Sequence, residues 1–472
     1  MQAKRKAFRV MALLAALSLA SCGSGDNSAL DVAVIGDAGD PFQSGIRLAT
    51  AGQLARAATV EGLVAFDAQG RVVPALADRW IVTDDGQSYI FRLRDGNWAN
   101  GDPITADSGA KALRGALAAL KGTPLALDLR GIDEIRVMAG RVIEIRLVRP
   151  MPYLLQLLAQ PELGLYHEKR GAGPMVLEKA DGMARLTPIE PSRLGLPAIA
   201  GWDARTRQVE LHSVGGDRAL EQFNDGEVDL VLGGRIEDFM LTRSVGILRG
   251  TIQLDPVTGL FGLQVMNASG FLADPARREA LAMAIDRDAL IAPFGVGGWV
   301  SSTRVVSPGL DGDLGTIGER WAGQSLEERR RIAASRVSAW RPAGAGTVTL
   351  RLWLPAGNGS QILFDRLAAD LAAIGVTLER TSDAGAADLL LVDDVARYPR
   401  AAWFLNRLSC SARRGLCSAE ADARVAEADQ APTPADRAAL LAEAEAELTT
   451  ANVFIPFGAP IRWSLVRGSV DG

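Results

Sequence analysis

The chain has 472 residues, 48% hydrophobic and 23% charged, with 51 Lys and Arg against 56 Asp and Glu, three cysteines and two histidines. A mildly acidic balance argues against a nucleic-acid binder, and two histidines make direct metal capture unattractive. Beyond the first twenty residues, no stretch reaches the roughly 18 unbroken apolar residues of a membrane span.

The N-terminus carries a basic cluster (Lys4, Arg5, Lys6, Arg9) and then an apolar run from Met11 to Ala20. That is a secretory signal, too short to serve as a normal span. It ends in Leu19-Ala20-Ser21-Cys22, which resembles a bacterial lipobox and implies cleavage before Cys22 with lipid on its thiol and amine. An ordinary signal with a chance cysteine at its cleavage site is the plainer alternative. Several acyl chains hold a protein at a membrane stably where one would not. Losing residues 1–21 removes four cations and takes the net charge from −5 to −9. Residues 22–29 read as a tether, because Gly23 to Ser28 offers no large apolar side chain. About 450 residues follow, more than one core of ordinary size, so two or more lobes are expected.

The next elements are strands punctuated by turns. Asp67-Ala68-Gln69-Gly70, Asp84-Asp85-Gly86, Arg94-Asp95-Gly96 and Asn100-Gly101 each combine a capping Asp or Asn with a glycine. Between them Tyr89, Phe91 and Leu93 alternate with Ile90, Arg92 and Arg94, a strand with one wet face. Trp80 and Trp98 flank it and are expected in the core rather than as ligand platforms. Further on, Asp274-Pro275 opens a helix with Ala280, Leu281, Ala284 and Ile285 on one face. Ser325 and Glu328 form a capping box. Thr347–Pro355 alternates as a strand, a helix with Leu363, Leu367 and Leu371 at i+4 spacing stops at Gly375, and strands return. This is a strand–helix–strand unit of a sheet with parallel pairs. Thr433-Pro434 opens the last long helix.

Cys410 and Cys417 lie in "CSARRGLC". With Cys22 used for lipid, the remaining even count in an oxidising compartment favours a disulfide closing a short loop. Metal ligation is the alternative, weakened because neither His167 nor His212 is near in sequence. No Walker loop, Gly-x-Ser-x-Gly elbow, His-Glu-x-x-His or dinucleotide fingerprint is present, so neither catalysis nor a cofactor is expected.

The stretch Val60–Leu113 resembles the signature of the family 5 extracellular solute-binding proteins, the peptide- and nickel-binding group that feeds ABC importers. The matching pieces include Glu61-Gly62-Leu63, Pro74-Ala75-Leu76-Ala77, Trp80, Leu93-Arg94-Asp95-Gly96, Trp98 and Thr105-Ala106-Asp107. Arg149–Pro161, Gly171–Leu177, Ala219–Gly233 and Asp274–Ile291 continue the likeness in order. The resemblance implies an α/β fold of the periplasmic-binding-protein-like type II. The lobes expected are a discontinuous lobe I (30–56, 166–265 and 450–472), a small extra lobe (57–165) that braces it, and a second main lobe, lobe III (266–449). It implies a monomer at the periplasm or cell surface that captures a peptide or related small solute by closure and serves an ABC permease of the cytoplasmic membrane. Gly23 after the lipidated cysteine permits outer-membrane sorting in a host with two membranes. The competing expectation is an envelope sensor or scaffold that kept the fold with a degenerate cleft.

One departure stands out in Leu389–Leu408. Peptide-binding members carry an Asp immediately before the Tyr, where it pairs with the peptide's ammonium, and a Trp three residues before that Asp. Tyr398, Pro399, Phe404 and Leu405 match, but the Asp position is Arg397 and the Trp position is Asp394. The resemblance thus offers Asp394, Arg397, Tyr398 and Trp403 as ligand contacts, with a cation where an ammonium should dock. Three readings stand: Arg397 attracts a carboxylate or phosphate on a different solute, Asp394 supplies the lost negative charge, or the cleft has decayed and Arg397 turns to solvent.

Overall fold

The computed structural model describes residues 29–246, 251–310, 313–315, 320–340, 347–468 and 470. The signal, Cys22 and nearly all of the tether lie outside them. No helix among the described residues is long and apolar enough to cross a membrane.

The first strand, β1 (Leu30–Ile35), is covered on both faces, which explains its unbroken apolar run Val32-Ala33-Val34. Val32 and Val34 pack with Ala51 and Leu211, while Ala33 packs with Leu220, Phe223 and Trp463. After the helix Thr50–Thr59 the chain leaves to build the small lobe. There a hairpin of β2 (Val64–Phe66) and β3 (Val72–Pro74) precedes β4 (Ala77–Val82), β5 (Ser88–Leu93), β6 (Ile132–Val137) and β7 (Val142–Leu147). The last four form an antiparallel sheet in the order β4-β5-β7-β6. Tyr89, Phe91 and Leu93 are all buried, as their spacing predicts, against the helix Ala106–Ala119. Gly109 lets that helix approach: a Cβ there would stand 2.8 Å from Leu93 Cδ1. Trp98 is buried and donates its indole N–H to Ser108 Oγ at 3.0 Å. Trp80 lies against Phe91 with centroids 6.5 Å apart. Trp98 is thus core, and half-buried Trp80 packs against that core from its edge.

The chain then returns through β8 (Met175–Ala180), β9 (Met183–Pro188), β10 (Val209–Val214), β11 (Leu230–Gly234) and β12 (Ile252–Leu254). Residues 255–258 cross to the second main lobe and its strands β13 (Gly259–Val265), β14 (Val348–Trp353), β15 (Val376–Thr381), β16 (Leu389–Val395) and β17 (Phe454–Gly458). Its sheet order is β15-β14-β16-β13-β17, with β14 parallel to both neighbours. The helix Asn358–Ala372 buries Leu363, Leu367 and Leu371 on this sheet. Residues 459–462 cross back, and β18 (Trp463–Val466) inserts into the first sheet. That sheet reads β12-β18-β11-β1-β10-β9-β8, with β1 parallel to β10 and β11 and the other pairs antiparallel.

Two differences from expectation follow. The resemblance places segments 166–265 and 450–472 whole in lobe I, yet β13 and β17 hydrogen-bond within the second sheet. Every residue of β13 is buried, so no wet face marked the change of sheet. The small lobe also does more than flank lobe I. Tyr153, Leu154 and Leu157 share one apolar cluster with Tyr398, Trp403, Phe404 and Leu448 of the second main lobe. Arg149 donates to the Asp429 carbonyl at 3.0 Å and its carboxylate at 2.5 Å, and Arg130 pairs with the same carboxylate.

Candidate functional site: the interlobe cleft

Between the lobes lies a cleft of about 840 Å³, walled by the end of β16, the segment after β11, the loop before the helix Thr50–Thr59, the helix Pro124–Asp128 and the disulfide loop. A smaller cavity of about 340 Å³ shares Arg235, Asp393, Asp394, Arg407 and Arg414 with it and adds Glu237 and Trp353. Cavities of this range suit small solutes.

The positions of the side chains follow from the strands. β16 delivers Asp393 and Asp394 at its end. Asp393 accepts two contacts from Arg462 Nη1 at 2.8 and 2.9 Å, and its carbonyl accepts from Arg235 at 3.3 Å. Burial raises the Asp393 carboxyl, and Arg462 works against that rise. β18 fixes the same corner, because Trp463 donates its indole N–H to the Arg235 carbonyl at 2.7 Å. Asp394 pairs with both Arg407 and Arg414, the latter at 2.6 Å. Burial alone would raise its carboxyl, but the two guanidinium groups outweigh that and hold it at about 2.

Arg397 spans the cleft rather than turning to solvent. Its guanidinium donates to Gln160 Oε1 at 3.0 Å and Glu162 Oε1 at 2.6 Å, and its carbonyl accepts from Gln160 Nε2 at 3.3 Å. Tyr398, offered as a ligand contact, stands behind the wall instead: it is 2% exposed and stacked on Tyr153 at 4.6 Å. Its hydroxyl donates to Asp128 Oδ1 at 2.8 Å, and Asn406 Nδ2 donates to the same oxygen at 2.7 Å. Burial pushes the Asp128 carboxyl up to about 7 despite those donors. Trp403 reaches the cleft wall at its edge but is otherwise packed in the core, with the Arg407 guanidinium 5.6 Å over its ring. Asp394, Arg397 and Trp403 therefore share one cleft and Tyr398 supports it.

Cys410 and Cys417 are joined by a disulfide. The loop it closes places Arg413 and Arg414 on the cleft, a contribution missed in the sequence. The sequence signal for it is the pair of adjacent arginines between the cysteines. His212 is engaged with Gln222 Oε1 at 3.1 Å. His167 sits with Asp102 at 2.9 Å where lobe I meets the small lobe, and Glu168 completes an acid–histidine group that does not line the cleft.

The family model for bacterial extracellular solute-binding proteins, family 5 Middle, matches residues 71–414. The chain is 33% identical over 121 residues to the probable deoxycholate-binding periplasmic protein YgiS of Escherichia coli, covering 22% of this chain and 23% of that one. It is 23% identical over 294 residues to the oligopeptide-binding protein OppA of Bacillus subtilis, covering 54% and 52%. In these alignments the chain spans about half the length of its curated relatives, or less. Among solved structures, Haemophilus influenzae OppA in complex with RPPGFSPFR superposes with a TM-score of 0.77 at 17% identity, over 93% of this chain and 95% of that one. That likeness is one of fold, the periplasmic-binding-protein-like type II architecture. Together with the motif-bearing meander and a cleft between two crossing segments, the match over residues 71–414 places the chain in family 5 of the bacterial extracellular solute-binding proteins, the group of the peptide and nickel ABC importers.

Proposed function

We propose that this chain is the substrate-binding lipoprotein of an ABC importer. Tethered through Cys22 outside the cytoplasm, it captures a peptide-sized solute in the interlobe cleft and passes the closed form to a membrane permease, making and breaking no covalent bond. The observation that carries this reading is the cleft itself: about 840 Å³, with charged groups contributed from both sides of two crossing segments. A solute touching both lobes favours the closed shape, and only such differential contact can drive closure.

Native mass spectrometry of the full chain extracted from membranes tests capture and anchoring together. The expected result is a co-purifying small molecule, a lipid-modified Cys22, and a radius of gyration in small-angle scattering that rises when the solute is removed. The second reading, an envelope scaffold with a degenerate cleft, draws on the internal engagement of Arg397 by Glu162 and of Asp394 by two arginines. An invariant radius of gyration and no retained solute would establish it instead.

A further inference from the structure

The cleft holds more positive charge than its own carboxylates can use. Seven arginines line it against four carboxylates. Asp394 takes Arg407 and Arg414, Asp393 takes Arg462, and Glu162 takes Arg397. Asp128 is occupied by Tyr398 and Asn406. Among the described residues, Arg47, Arg235 and Arg413 are left without a carboxylate within 4 Å, and Arg235 reaches only the Asp393 carbonyl. The free cations sit on both sides of the gap. Arg47 belongs to the loop before the helix Thr50–Thr59 in the first lobe, and Arg413 to the disulfide loop of the second. Arg413 is held at φ +52 by that loop, a conformation that fixes where its side chain leaves the chain.

We propose that the cleft selects a small anionic solute, bearing carboxylate or phosphate groups and no free ammonium, clamped between Arg47 of the first lobe and the Arg413–Arg414 edge of the disulfide loop. This deepens the capture reading above and rests on it. Closing the cleft empty brings like charges together in a partly desolvated space, which costs energy. An anion between them reverses that sign and makes bidentate, charge-assisted hydrogen bonds that an ammonium cannot. Asp394 cannot restore a peptide-type ammonium site, because two guanidinium groups already claim it.

The test is a calorimetric panel on the mature chain after solute removal: inorganic phosphate, citrate, N-acetyl-trialanine, trialanine and trialanine amide. The three peptides keep one backbone while changing the charge at its ends. N-acetyl-trialanine is expected to bind at least tenfold tighter than trialanine, the amide is expected to be silent, and anion affinity falls as salt rises. Phosphate and citrate separate a tetrahedral from a carboxylate preference. The double variant Arg47→Gln/Arg413→Asn, with Asn chosen because it tolerates positive φ, is expected to lose at least tenfold in anion affinity while its unfolding midpoint stays put. The proposal is overturned if the amide binds as well as the acetylated peptide, if the variant keeps its affinity, or if none of the anions binds. Scattering separates the two levels: contraction on adding trialanine amide leaves capture standing and removes the anion preference, whereas no contraction with any probe or with the co-purified solute removes both.

Discussion

Asp128 receives hydrogen bonds from two side chains of another lobe, and its carboxyl rises to about 7 because burial disfavours the anion. The folded state therefore holds this proton more tightly than the unfolded chain, whose carboxyl keeps the ordinary value of 3.8. The stability it lends is full below that value and disappears as pH rises through about 7. Asp128→Asn keeps an acceptor for Tyr398 and Asn406 but cannot ionise. Urea unfolding at pH 5 and pH 8 should show the wild type losing on the order of 2 kcal/mol more than the variant over that interval. Equal losses would place the proton elsewhere. At this scale the sequence was only partly readable. The swap of a family Asp for Arg397 was visible, but not that Glu162, 235 positions away in the chain, would meet it. Tyr398 matched a ligand position by pattern, while the stacking partner that removes it from the cleft comes from a different lobe.

Among the elements, the meander was legible because one face is wet and the other dry, so the period of two survives in the residues from Tyr89 to Leu93. β13 was not, because a strand buried on both faces carries no alternation and gives no sign of which sheet it joins. The disulfide loop was legible as a closed loop and silent as a cleft wall. Its Cys410→Ser/Cys417→Ser variant should lose roughly 2–3 kcal/mol of stability by the chain-entropy estimate for so short a loop. Chemical denaturation measures that loss, and a midpoint unchanged from wild type would show that neighbouring contacts already hold the loop. If the loop carries the anion clamp, the variant also weakens N-acetyl-trialanine binding beyond what its stability predicts. Asp422, which accepts from the Cys410 amide at 3.0 Å, braces one end of the loop in either state.

For the molecule as a whole, the resemblance in sequence conveyed two main lobes and a cleft, but the excess charge of that cleft arises only when five separated segments converge. The same holds for the join between the small lobe and the second main lobe. Asp429, nearly buried, serves Arg149 and Arg130 there, with Arg437 at 3.6 Å. Asp429→Ala leaves these cations facing one another, and because their guanidinium groups stay partly exposed, Arg130 at 38%, the cost is about 1–3 kcal/mol. The expected outcome is a lower unfolding midpoint together with a larger radius of gyration in small-angle scattering. A variant with wild-type values of both would mean that apolar packing alone joins these lobes.

The placement of β18 has a consequence for how the chain is made. A strand formed by residues 463–466 lies between β11 and β12, so the sheet begun at Leu30 stays open until those residues have been made. Synthesis from the N-terminus thus yields a chain that is late to lock its first sheet. Clipping the last ten residues, Trp463 among them, would leave β11 and β12 without the partner between them, and the product should be cleared by proteases rather than accumulate as a truncated binder.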